Sequence, residues 1–112
     1  MITDAMTRVQ HALSGVGATV LAAPSEDTAP PFVAVGLPTF TWDAGMVTEA
    51  TVTVTVVASH ATDAAALTAL DTLLAATVRA LLANIPTGLV SIAEPATTEL
   101  PAYLVRVSFV PI

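Results

Sequence analysis

Residues 49–59 read EATVTVTVVAS, and this run constrains the fold more than any other segment. Val52, Val54 and Val56 fall on one side of an extended chain, and Thr51, Thr53 and Thr55 fall on the other. β-branched side chains at a strict period of two suit a pleated strand with one face buried. A sheet built on such a strand needs something apolar laid over its valine face. The next segment supplies it. Over residues 62–84, Leu67, Leu70, Leu74 and Leu81 recur at steps of three, four or seven, with Ile85 following, while Thr68, Thr72, Ala75 and Arg79 hold the opposite side. That spacing predicts an amphipathic helix of about six turns, roughly 34 Å long. Thr62 is placed to cap its first turn, with Asp63 beside the positive helix end. Pro86 and Gly88 stop it.

The remaining elements are shorter. Residues 3–14 read as a helix, started by Thr3 or Asp4, carrying Met6, Val9 and Leu13 on one stripe, and ended by Gly15 and Gly17. Residues 19–23 suit a short strand, and residues 24–31 form a polar turn with three prolines. Residues 32–37 (FVAVGL) predict a buried strand between prolines. Residues 38–48 (PTFTWDAGMVT) read as a loop. Residues 89–94 and 102–110 read as two further strands joined by 95–101. The order α-β-β-α-β-β predicts one α+β domain over residues 1–112. Its sheet is expected to be antiparallel-rich, with four to five strands and both helices packed on one face.

Composition removes several function classes. Apolar residues make up 54% of the chain and charged residues 11%, against about 25% charged in an ordinary domain. A disordered chain has the opposite balance. Nine acids face three arginines and no lysine, for a net charge of −6. A grip on nucleic acid or on an anionic membrane requires clustered Lys or Arg, and Arg8, Arg79 and Arg106 are dispersed. The longest uncharged run, residues 9–25, is broken by Gln10, His11, Ser14, Gly15 and Gly17, so no membrane span is expected. The acidic start argues against a secretory signal. Without cysteine there is no disulfide framework and no cysteine-based zinc site.

Catalytic patterns are also wanting. His11 and His60 lie far apart, and neither has a second ligand at metal spacing. Gly15 and Gly17 do not continue into a dinucleotide loop, because position 20 is Val. Ser59, His60 and Asp63 are close neighbours at a helix start, where local capping accounts for them better than a triad does. Asp63 and Asp71 would stand about 12 Å apart along a helix, too far to share a proton. Glu94 and Glu99 flank a connection. No enzyme activity, metal or cofactor is expected. Bulk accumulates instead in the 38–48 segment, as Phe40, Trp42 and Met46. Either these fold back over the core, or they anchor another subunit, since aromatics and Met are enriched at interfaces. The threonine face of residues 49–59 has a parallel pair of readings: a solvated face, or a neutral polar lining of an assembly.

Three segments together resemble a known family: EATVTVTVVAS at 49–59, SHATDAAALTALDTLLAATVRAL at 59–81 and PAYLVRVSFVPI at 101–112. A valine-rich strand, a polar turn with an Asp, a Leu-Asp-x-Leu-Leu helix (Leu70 to Leu74) and a closing alternating strand are similar to the tail terminator, or minor tail, proteins of long-tailed bacteriophages. The resemblance covers most of the chain in order and length. It implies an α/β sheet with two helices and a structural role without catalytic residues. Such proteins form hexameric rings in the virion, at the head-proximal end of the tail, after assembly in the host cytoplasm. The ring stops tail-tube polymerisation and joins the tube to the head-side connector, and DNA passes through its channel without specific binding. Six copies at −6 each would carry −36, and like charge keeps DNA from sticking. On this reading Phe40, Trp42 and Met46 are candidate subunit contacts, and Asp27, Asp43 and Glu49 are candidate channel-facing acids. The alternatives are a head-tail connector or neck protein of the same particle, or a small acidic α/β ligand-binding domain that dimerises.

Overall fold

The computed structural model describes residues 2–21, 30–58, 64–85, 88–95 and 102–110. Helix α1 (Ile2–Ala12) leads into β1 (Thr19–Leu21), β2 (Phe32–Val35), β3 (Thr39–Asp43) and β4 (Met46–Val57). Helix α2 (Ala64–Asn84), β5 (Leu89–Pro95) and β6 (Ala102–Phe109) follow. The six strands form one open mixed sheet, in the order β1-β2-β4-β6-β5, with β3 paired to β4 off that path. Among the described residues only the β1–β2 pair is parallel. The architecture is the α+β domain that the sequence predicts, with one strand more than expected.

β4 is the spine, and the threonine–valine alternation acts as read. Val52, Val54 and Val56 are fully buried, together with Val33 and Val35 of β2 and Val105 and Val107 of β6. Ala5, Val9, Ala12 and Leu13 in and after α1, and Leu70, Leu73 and Leu81 of α2, complete the same core, so both helices lie on one face of the sheet. Asn84 locks the two helices together. Its Nδ2 donates to the carbonyl of Ala80 at 2.9 Å and to that of Ala12 at 3.2 Å. Arg8 stands with its guanidinium 4.9 Å from the centre of the Phe109 ring, a cation–π distance, and donates to the Val110 carbonyl.

The helix phase differs from the expected one. The buried stripe of α2 is Ala66, Leu70, Leu73, Thr77 and Leu81, while Leu67 is 55% exposed and Leu74 only half-buried. Small residues at 66 and 77 let the helix sit close to the sheet. Thr77 is tolerated there because its hydroxyl donates back to the Leu73 carbonyl at 2.8 Å, which leaves no polar group unsatisfied. The predicted caps Thr62 and Asp63 lie outside the described residues, as do Ser59, His60 and Glu99.

The larger correction concerns residues 38–48. They are not a loop. β3 and the first part of β4 form a hairpin, with Asp43 opposite Met46 and a two-residue turn at Ala44-Gly45. Both turn residues have positive φ, 51° at Ala44 and 80° at Gly45. Paired positive φ values match the right-handed strand twist of a tight hairpin. Glycine adopts this conformation freely, but alanine does so against its Cβ, at about 1–2 kcal/mol. Ala44→Gly is therefore expected to tighten the hairpin by about 1 kcal/mol, which is roughly fivefold slower amide exchange in residues 41–48. Unchanged exchange rates would contradict the strain assigned to Ala44.

At residues 54–57, β4 is paired with β2 on one side and β6 on the other; at residues 50–51 it is paired with β3 and β6. β2 and β3 therefore lie end to end along the same side of β4. Gly36 bridges them, donating its amide to the Thr53 carbonyl at 2.8 Å. A Cβ at position 36 would stand 3.0 Å from that same oxygen, so the close approach favours glycine. β6 pairs with β4 no further than Ala50. Beyond that row, among the described residues, β3 and β4 continue alone as a two-stranded arm, and the domain measures 49 Å along its longest axis against 26 and 21 Å across.

Candidate assembly surface

Alternation along β3 places Phe40 and Trp42 on the same, helix-covered side of the sheet. Phe40 lies opposite Ala50 at the root of the arm, half-buried against the core. Trp42 and Met46, farther out, are 59% and 71% exposed. The three residues that the sequence grouped thus divide. Phe40 folds back on the core, and Trp42 and Met46 do not. The arm is held by its own ladder and by the Thr48 hydroxyl, which donates to the Thr41 carbonyl at 3.2 Å. A register shift between Thr41 and Trp42 leaves Thr48 of β4 without an opposite residue, a bulge that adds local bend and twist to the arm. A two-stranded ribbon of this kind has little stability of its own in water, and a Trp and a Met left at its end are apolar surface without cover.

The acids are placed separately. Asp43 is exposed at the end of β3, beside the turn. Glu49 is half-buried, paired with Thr41 on the face of the sheet away from the helices. Asp27 lies outside the described residues. The face that carries Glu49 is polar over the middle of the sheet. Thr51, Thr53 and Thr55 of β4 stand beside Ser108, Arg106 and Leu104 of β6, and the Thr51 and Ser108 hydroxyl oxygens are 2.9 Å apart, sharing a hydrogen bond. Towards β1 the same face becomes apolar, where Phe32, Ala34, Val57 and Ala102 are buried with Leu21 packed on them.

A second apolar strip follows the flank of α2. Leu67, Leu74, Val78 and Leu82 succeed one another at helical spacing; Leu67 and Leu82 are exposed, and Leu74 and Val78 are half-buried. The sequence carries this second stripe as plainly as the first. Leucine spacing alone does not separate the two. Leu37, in the jog between β2 and β3, is 76% exposed, and Leu89, at the start of β5, is 70% exposed. Nothing in the local sequence marks these two positions, because their exposure follows from the strand order.

Two concavities flank the α1–β1 connection. One is lined by Ser14, Gly15, Gly17, Ala18, Thr19, Pro30 and Pro31. The other lies against α2, between Val16, Pro31, Ala58, Ala69, Thr72 and Leu73. Among the described residues neither wall carries a titratable side chain. Among the described residues no three His, Asp or Glu side chains gather at metal-binding distance. α2 is long and apolar enough to cross a membrane by length and composition, but one side of it forms the core described above. Comparison with protein-family models, with curated proteins and with solved structures gives no match.

Proposed function

We propose that this chain is a structural subunit that works by contacting copies of itself, and that it acts as a tail terminator of a long-tailed phage-like particle. Its ring ends tube polymerisation and joins the tail to the head-side connector. The observation that carries the self-association is the arm, which presents Trp42 and Met46 at 59% and 71% exposure beyond the last row shared with β6. Aromatic and Met side chains left uncovered in this way are typical interface anchors. The tail-specific part of the reading rests on the resemblance of residues 49–59, 59–81 and 101–112.

Charge fits a channel that must let a polyanion slide. The chain has no lysine and a net charge of −6. Asp43 and Glu49 sit on and beside the arm, and the hydroxyls of Thr51, Thr53 and Ser108 offer a neutral polar face next to them. The decisive experiment is to make particles without this chain and measure their tails by electron microscopy. Abnormally long, headless tubes are the expected result, with the purified protein running as a ring of about six copies in native mass measurement. Tails of normal length without it would overturn the terminator reading, and a chain that stays monomeric at all concentrations and beside isolated tubes would overturn self-association.

A further inference from the structure

The sheet has uncovered edges on opposite sides. The outer edge of β3 has no strand beside it among the described residues, and neither has the outer edge of β5. Proteins that remain monomeric blunt such edges with lysines, prolines, bulges or inward charges. This chain contains no lysine. In β5 the register shift falls between Ser91 and Glu94, and the proline stands at position 95. Residues 89–91 are left regular, uncharged and free of proline. β3 has a single charge, Asp43, at its last position, and the extra residue at the register shift of its ladder, Thr48, belongs to β4 and not to the edge strand.

The two edges suit each other. β3 runs antiparallel to β4, β4 to β6 and β6 to β5, so β3 and β5 of one chain point in opposite directions. A second copy added in the same orientation therefore offers β5 as an antiparallel neighbour to β3, with its helices on the same side. Leu89, Ser108, Thr51 and Thr39 already form one row across the sheet, all on the side away from the helices. We infer that successive copies join by pairing β3 of one chain with residues 89–91 of β5 in the next, so that one continuous sheet runs through the assembly. This inference rests on the self-association proposed above and names its surface. The seam carries Trp42 on its helix side, toward the neighbour's α2, which packs against β5. Two different edges make a head-to-tail contact, which closes into a ring when the rotation per copy is a simple fraction of a turn. Strand twist and stagger supply the curvature.

The absence of cysteine allows a direct test. Single variants Thr39→Cys, Thr41→Cys, Leu89→Cys and Ser91→Cys are made, since all four positions share one face and facing residues of paired strands come within disulfide reach. Each β3 variant is mixed with each β5 variant under mild oxidation, at the concentration where the native protein assembles. The expected result is a covalent dimer from at least one β3–β5 mixture, none larger, and no dimer from any variant alone. A double variant carrying the reactive pair should give a ladder ending at the ring size. Dimers from a β3 variant alone would mean that β3 pairs with β3, and would overturn the inference. So would a ring, seen by native mass measurement of the same samples, in which no β3–β5 mixture cross-links; in that case self-association stands and only its seam is wrong. A monomer in every sample would remove both.

Discussion

Leu81→Asp is expected to abolish folding, and Leu67→Asp is expected to leave the fold intact. Both leucines belong to the single stripe that leucine spacing suggests, but in the structure Leu81 is fully buried and Leu67 is 55% exposed. A carboxylate at position 81 would be enclosed by the core that joins both helices to β2, β4 and β6, with no cationic side chain in that cluster. An uncompensated buried charge destabilises by about 3–5 kcal/mol, a large part of the roughly 5–15 kcal/mol that a whole domain possesses. At position 67 the new charge would face water, where substitutions usually change stability by no more than about 0.5 kcal/mol. Circular dichroism and thermal melting of the two variants check this. Cooperative unfolding of Leu81→Asp near the temperature of the parent protein would show that α2 packs with a different face.

Trp42→Ala carries the second large effect, and here the roles of fold and assembly are reversed. Removing a side chain that is 59% exposed should leave thermal stability nearly unchanged. A buried interface aromatic contributes on the order of 2 kcal/mol or more, about thirtyfold in affinity per contact. A closed ring repeats that loss at every seam, so sedimentation velocity should show the assembly falling to free subunits at concentrations where the parent protein remains associated. A variant that assembles as before but melts many degrees lower would place Trp42 in the core instead. Phe40→Ala should behave in the opposite way and lose stability first, because Phe40 packs against the core at the root of the arm.

How far the sequence could be read follows from the same residues. β4 was legible because its alternation is long and made of β-branched side chains, and α2 because its apolar residues recur over five turns. β3 was not. Its alternation, Thr39 to Asp43, spans only five residues, and Pro38 and Gly45 on either side give loop signals. Its turn also has Ala44 where Asn or Gly would have announced a tight hairpin. A loop over this segment would present its bulky residues as one group. Only the register shows that Phe40 belongs to the core and Trp42 and Met46 to the surface. The helix phase is hidden for a related reason. Ala66 and Thr77 contribute to the buried face through small size rather than hydrophobicity, so a count of large apolar residues rotates the helix toward Leu67 and Leu74. Edges cannot be read from local sequence at all, because Leu89 becomes an edge residue only when β6 inserts between β4 and β5.

β4 is a single strand from Met46 at the end of the arm to Val57 in the middle of the domain. Whatever takes hold of the arm therefore pulls on the centre of the fold through one covalent strand, whose irregularity in the arm is the bulge between Val47 and Glu49. A pull along that strand drags it lengthwise past β2 and β6, and the hydrogen bonds on both sides resist together rather than parting one after another. Tension between neighbouring subunits would thus fall on the most strongly anchored strand of each. In the ring proposed above, that shearing geometry would supply mechanical toughness at each joint.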